Sequence, residues 1–436
     1  MKKLISVLLV SALLLPLLGC KQAAKPAAEA FTPDYPTISP TEPEDPAEIL
    51  AYRRDVVEQA MREQSAVLWT PAEDFTYSMK NNSLGIAADS ETDPERVVTL
   101  EAGKIYQGIP YAHGSGSYYS WISYATAQDE NGVYTLTGIT DQHLTGKSAY
   151  KENVRARLGN DCADQLFWAW GRISGSIHFR GTNSMTPFYG CLPVGDYEFS
   201  GTQFNENNNT KDIVARNGEQ RMFAAYAQLQ KGDGMVLVNR QGQGHAVMAV
   251  TTNPVYTEDG QIDGEKSYVT VLEQTSGPEA SWEGYYNEQL QQTVYRCEIM
   301  DKEWTYNTLL KKGYLPVTCK ELVDPAPLAA PEMTDYTDAP TAENMFGGTV
   351  KANYRISSIT VTLTQGDKTV QSATCYGHQE EMYEFNLYRF TNAAEQPVMQ
   401  GSINLESLKP GQYRCTFTAR ISTGEEICFR DFTLTR

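Results

Sequence analysis

Residues 231–250 read Lys231-Gly232-Asp233-Gly234-Met235-Val236-Leu237-Val238, a polar loop, and then Gly244-His245-Ala246-Val247-Met248-Ala249-Val250. Gly-Asp-Gly is turn chemistry, and the two runs around the loop are short, apolar and rich in valine, the mark of buried strands. Strands are expected at 235–238 and 246–251, with His245 at the head of the second. A third run at 268–272 ends in two polar residues, Glu273 and Gln274. Upstream, Cys162, Ala163, Leu166, Phe167, Ala169, Trp170 and Ile173 recur at helical spacing, which predicts a buried helix over 161–173. A second helix is expected around 217–229. One helix followed by a run of strands points to an α+β fold.

The rest of the chain is organised around this block. Asp45-Pro46-Ala47-Glu48 is a helix start, with a capping Asp, Pro in the first turn and Glu three residues after the cap. The helix should run to about Val67, with Ile49, Val56, Val57, Ala60 and Val67 on its apolar side. Residues 75–145 look like loops and short strands. A Pro- and Ala-rich linker spans 321–345, and 346–436 has the texture of a small all-β sandwich, with strands expected at 359–364, 383–390, 401–405, 413–421 and 427–434. Leu408-Lys409-Pro410-Gly411-Gln412-Tyr413 and the final hairpin resemble bacterial immunoglobulin-like domains. No internal repeat is evident.

The first 19 residues read as a secretory signal. Met1-Lys2-Lys3 is basic, and 4–18 is an apolar run too short to cross a bilayer as a helix. Leu17-Leu18-Gly19-Cys20 resembles the bacterial lipobox, which implies that Cys20 receives lipid and anchors the chain to the outer face of the cell membrane. Residues 21–45, rich in Ala, Pro, Glu and Thr, form a flexible stalk that would reach about 80 Å if fully extended. The expected domains are thus 1–19 signal, 20–45 anchor and linker, 46–320 main domain, 321–345 linker and 346–436 sandwich.

The formal net charge is −18. Loss of 1–19 removes Lys2 and Lys3 and no acid, so the mature chain is more acidic still. That excludes nucleic acid as a partner and leaves the lipid, not surface charge, as the membrane contact. Of eight cysteines none forms a tight CxxC pair, so no zinc site is expected. Export permits disulfides, but the spacing fixes none. If the last turn centres on Thr423-Gly424, Cys415 faces Phe432 and Cys428 faces Ala419. The two are then too far apart to bond, and both read as small core residues.

Three weak signals combine into a candidate site. Cys162 opens a helix, where the positive end of the dipole favours thiolate and the residue's own N–H is free to hold an oxyanion. His245 heads a buried strand and suits the role of base and acid. Glu273, or Gln274 as the alternative third residue, can orient the far side of the imidazole. Their order, together with Asp161-Cys162-Ala163 and Gly232-Asp233, resembles the papain-like cell-wall hydrolases, the NlpC-type endopeptidases and CHAP amidases. Gly108-Ile109-Pro110-Tyr111-Ala112-His113-Gly114 is similar to the Gly-x-Pro-Tyr-x-x-Gly stretch that precedes the NlpC cysteine. The resemblance covers about 104–276 and implies a Cys162–His245–Glu273 triad, a role for Tyr111 beside the nucleophile, no metal or cofactor, and peptidoglycan stem peptides as substrate.

The sequence also departs from that family. Asp161-Cys162-Ala163-Asp164 replaces Asp-Cys-Ser-Gly, Thr275 stands where CHAP proteins have Asn, and an insertion at about 115–158 lengthens the step from Tyr111 to Cys162. Two alternatives stay open at this point: a non-catalytic wall-binding or adhesion lipoprotein on a degenerate hydrolase fold, and a transglutaminase-like acyl transferase.

Overall fold

The computed structural model describes residues 41–79, 96–109, 128–137, 142–143, 161–175, 177, 181–201, 203–206, 208–240, 244–275, 284–296, 299–338, 348–385 and 399–436. Cys20, the signal segment, most of the stalk, Tyr111 and most of 115–158 lie outside the described residues. Among the described residues no helix is long and apolar enough to cross a membrane.

Helix α1 (Pro46–Ala66) starts as its sequence dictates, with the Asp45 carboxylate accepting from the Ala47 N–H at 2.9 Å. Ile49, Val57, Ala60 and Met61 are buried, as the apolar spacing requires. Two arginines are buried with them, which no hydrophobic pattern reveals. Arg53 donates to the Glu321, Asp324 and Ala326 carbonyls, and Arg54 to the Lys231 and Leu322 carbonyls and the Asp233 carboxylate. These bonds fasten α1 to the turn at 231–233 and to the segment that leaves the main domain.

The strands in chain order are β1 (Leu68–Pro71), β2 (Phe75–Met79), β3 (Arg96–Leu100), β4 (Ile105–Gln107), β5 (Val133–Leu136), β6 (Gln142–His143), β7 (Cys191–Pro193), β8 (Gly234–Val238), β9 (Gly244–Asn253), β10 (Tyr268–Glu273), β11 (Gly284–Asn287), β12 (Gln292–Arg296), β13 (Ile299–Thr305), β14 (Leu315–Cys319), β15 (Met333–Asp338), β16 (Gly348–Gln365), β17 (Lys368–Phe385), β18 (Met399–Gly401), β19 (Gln412–Ile421) and β20 (Glu426–Thr435). The central sheet is antiparallel in the order β13-β10-β9-β8-β14-β7. A second sheet runs β11-β12-β4-β1-β5, and β3-β2-β6 form a third. Helices and sheets share the main domain, so the fold is α+β.

Helix α2 (Cys162–Trp170) packs against α1 and β9. At nine residues it is too short to persist alone, since isolated helices below ~12–15 residues are marginal in water. Burial holds it: Leu166, Phe167, Ala169 and Trp170 are all in the core, and the Trp170 indole donates to the Gly232 carbonyl at 2.8 Å. Gly234 allows the close approach, because a Cβ there would come 2.9 Å from Leu166 Cδ2 and 3.0 Å from the Trp170 ring. The helix expected around 217–229 is present as α4 (Glu219–Tyr226); a further short helix, α3 (Thr210–Asn217), precedes it and is parted from it at Gly218, whose φ of +78° no helix accommodates.

The C-terminal strands form one continuous antiparallel sheet in the order β18-β17-β16-β19-β20, with β15 also on β16. Strand β17 follows one edge of β16 throughout. The other edge pairs with β15 up to Ala352 and with β19 from Ile356 onward, changing partner across irregularities between Lys351 and Ser358. Strand β15 falls inside the stretch read from composition as linker. In the last hairpin Cys415 faces Phe432, as the turn predicts, but a bulge between Phe417 and Thr418 sets Cys428 opposite Thr418, not Ala419. Cys415 is buried and Cys428 is exposed, which corrects its reading as a core residue. The two domains touch where α2 ends: Gly175 lies so near the Asn353 carbonyl that a Cβ would approach it to 2.4 Å.

Candidate active site

Asp161 is the N-cap of α2, its backbone extended at φ −108° and ψ 178°. One carboxylate oxygen accepts from the Ala163 and Asp164 N–H groups, each at 2.9 Å. Neither bond uses the Cys162 N–H, which lies in the first turn with its donor directed out of the helix end. The Cys162 side chain is buried in the face that meets β9. Burial, with the Asp161 charge beside it, pushes the Asp164 carboxyl well above the ordinary carboxylate range.

His245 reaches this helix end from β9. Gly244 before it is pressed against the 3₁₀ turn Thr182–Ser184, where a Cβ would come 1.8 Å from Thr182 Oγ1 and 2.6 Å from the Leu237 carbonyl oxygen. Only glycine leaves room for that packing. On the other side, β10 pairs with β9 through Val271–Ala249 and Leu272–Met248. One step further along this register, Glu273 shares the face of His245 and lies diagonal to it, within reach of a long side chain.

The contact follows: His245 Nε2 and Glu273 Oε1 are 2.8 Å apart. Cys162 is hydrogen-bonded to the same ring. With Nε2 engaged by the carboxylate, Nδ1 is the nitrogen left for the sulfur. Burial disfavours a charged ring, but the Cys162 and Glu273 side chains outweigh it and raise the His245 pKa from 6.5 to about 10. The ring therefore holds both protons at neutral pH, between a sulfur and a carboxylate. That arrangement supplies a nucleophile, an acid to protonate a leaving group and a group that fixes the ring's orientation.

Glu273, not Gln274, is the residue bonded to His245. The Gln274 amide is buried and donates to the Ile109 carbonyl at 2.5 Å. Gly108 (φ +87°) accepts from the Trp69 indole at 2.8 Å, so Gly108 and Ile109 are held between β1 and the end of β10. The start of the Gly-x-Pro-Tyr stretch thus lies beside the strand that carries Glu273. The Lys231–Asp233 turn has a structural part: Asp233 accepts from Arg54 at 2.9 Å, Thr318 at 2.6 Å and the Gln230 N–H at 2.8 Å.

Sequence reasoning missed Tyr314. Its ring lies edge-on to His245 at 6.5 Å between centroids and packs on Trp304 at 5.2 Å. Burial pushes its hydroxyl well above the ordinary range, with the nearby charges of Glu273 and Cys162 acting in the same direction. The available signal is Gly313, whose φ of +89° ends helix α5 (Tyr306–Lys312) and turns the chain inward at the next residue. Among the described residues no group of three or more His, Cys, Asp or Glu side chains could hold a metal ion.

No protein-family model matches the sequence, and no curated protein matches it. Two solved structures show slight likeness. OgpA from Akkermansia muciniphila is 14% identical over 27% of this chain and 33% of its own, with a TM-score of 0.18. The glycoside hydrolase domain of Endo-D from Streptococcus pneumoniae is 10% identical over 45% of this chain and 34% of its own, with a TM-score of 0.14. The matched part spans about a third of either neighbour, and likeness at this level carries no argument about the chain.

Proposed function

We propose that this chain is a membrane-anchored extracellular thiol hydrolase that cleaves amide bonds, with peptidoglycan stem peptides as substrate. The observation that carries the reading is the Glu273–His245 contact at 2.8 Å with the Cys162 thiol bonded to the same ring at a helix N-terminus. In this reading the Cys162 sulfur attacks the amide carbonyl carbon, and His245 gives its proton to the leaving amine. The acyl-enzyme is a thioester; His245 then takes a proton from water, which attacks the thioester and frees Cys162. The Cys162 N–H, unused by the Asp161 cap, holds the oxyanion. Glu273 keeps the ring oriented and stabilises its charge.

We propose a finer fold on the same ground. The main domain is papain-like: a helix bearing the cysteine lies against an antiparallel sheet whose adjacent strands bear the histidine and the acid. The C-terminal module is immunoglobulin-like, and the change of partner along one edge of β16 through bulges is how a strand passes from one sheet of a sandwich to the other. Location and substrate rest on the Cys20 lipobox and on the resemblance to NlpC and CHAP enzymes.

Cys162→Ala tests the assignment. The variant should fold, keep the wild-type circular dichroism and release no muropeptides from purified sacculi, while peptide mapping of the folded wild type after iodoacetamide at neutral pH should find Cys162 alkylated as well as the exposed Cys428. Muropeptide release by Cys162→Ala at the wild-type rate would overturn it.

A further inference from the structure

Strands β7 and β14 lie at one edge of the central sheet, and Cys191 and Cys319 are direct cross-strand partners in their ladder. Both side chains are buried and unbridged. The hydrogen-bond phase of the ladder decides how close they are. The Val194 N–H donates to the Pro316 carbonyl at 3.0 Å, which makes Val194–Pro316 a hydrogen-bonded pair. Antiparallel pairs alternate, so Leu192–Thr318 is again hydrogen-bonded and Cys191–Cys319 is not. Non-hydrogen-bonded partners have Cα atoms about 4.5 Å apart with their side chains directed together, inside the ~4.4–6.8 Å range that a disulfide spans.

We propose that Cys191 and Cys319 form a cross-strand disulfide in the exported protein. The reaction is thiol–disulfide exchange with a small-molecule disulfide. One cysteine thiolate attacks the disulfide and expels a thiolate; the second cysteine then attacks the mixed disulfide and expels the other. Two protein thiols are oxidised, one external disulfide is reduced to two thiols, and the two protons pass to solvent or to the expelled thiolates.

Timing follows from burial. In the folded chain burial pushes Cys191 up to about 12 and Cys319 well above its ordinary value, so neither is a ready thiolate once β7 has docked. Exchange belongs to folding, before this edge closes. The bridge would close a loop of about 130 residues, enough to remove substantial entropy from the unfolded chain. It would also secure a strand of only three residues. The chain leading into β7 includes Thr182, which packs on Gly244 beside His245, so the bridge braces the support of the candidate site. In the same chain it leaves Cys162 unpaired.

The test is independent of hydrolase activity. Full chain is refolded from denaturant in a reduced and oxidised glutathione buffer, alkylated, and digested with trypsin without reductant. The expected product is peptide 181–211 joined to peptide 313–320, about 2 Da lighter than the two free peptides and separated by reductant. The Tm of the bridged protein should fall by roughly 5–10 °C on reduction. A Cys191→Ala, Cys319→Ala double variant should show neither the linked peptide nor the fall. Recovery of both cysteines as fully alkylated thiols, or either one linked to a different cysteine, overturns the inference.

Discussion

Glu273→Gln removes one charge from the candidate site and little else, because the amide matches the carboxylate in size. Raising His245 from 6.5 to about 10 is equivalent to roughly 5 kcal/mol of preference for the charged ring. Two neighbours, Cys162 and Glu273, supply that preference against the cost of burial. The substitution removes the Glu273 part of it, taken as roughly 2 kcal/mol, and moves the midpoint down from about 10. Ring nitrogen NMR on uniformly labelled protein reads this directly, since the chain has only five histidines to assign. A loss of about 2 kcal/mol in the transition state corresponds to a roughly 30-fold fall in kcat/KM. The sign of the pH effect on stability follows from the raised value. The stabilisation from His245 is complete below pH 6.5 and is lost as pH rises toward about 10. The wild-type Tm should therefore decline across that window, and the variant should start lower and change less near its top. A His245 midpoint close to 6.5 in the wild type, or one that Glu273→Gln leaves in place, would refute the reasoning.

Two further substitutions probe the supports of the site. Asp233→Asn leaves the Arg54 guanidinium buried without its counter-charge and should cost about 3–5 kcal/mol in urea unfolding of the full chain. An unfolding midpoint equal to wild type would show that Asp233 does not hold the turn. Gly244→Ala places a methyl 1.8 Å from Thr182 Oγ1 and 2.6 Å from the Leu237 carbonyl oxygen. The strand must shift, so hydrolysis and the raised His245 midpoint should be lost together; retention of both would mean that the strand position is not critical.

The parts legible in the sequence are those governed by local pattern. The cap and start of α1, the apolar face of α2, strands β8 to β10 and the meeting of Cys415 with Phe432 all follow from spacing over a few residues. What escaped depends on distant partners. Arg53 and Arg54 are buried because carbonyls of residues 231 and 321–326 receive them. Helix α3 escaped because only Ile213 and Val214 mark its apolar side, too few to show a helical period. Cys428 faces solvent because one bulge reverses the alternation beyond Phe417, and a one-residue slip exchanges the faces of a strand. Glu273 and Gln274 are adjacent and equally polar, so sequence offered both as the third residue. Alternation decides between them: one side chain turns to His245 and the next to Ile109.

Burial of Glu273 bears on whether the site catalyses or merely binds. Glu273 is 5% exposed, and its Oε2 has no hydrogen-bond partner among the described residues. A carboxylate oxygen left unpaired in a protein interior costs on the order of 1–3 kcal/mol or more, and an apolar side chain of similar volume at a strand end would be the more stable choice. Local rules are expected to fail in this way where a site needs a group that folding does not. An adhesive surface needs no buried anion against a histidine ring, still less one whose other contact is a thiol at a helix end. A hydrolase does need it, because the charge that burial penalises is what keeps the imidazolium beside the sulfur. The stability lost at Glu273 and the raised pKa at His245 are therefore one feature seen from two residues, and it favours chemistry over adhesion.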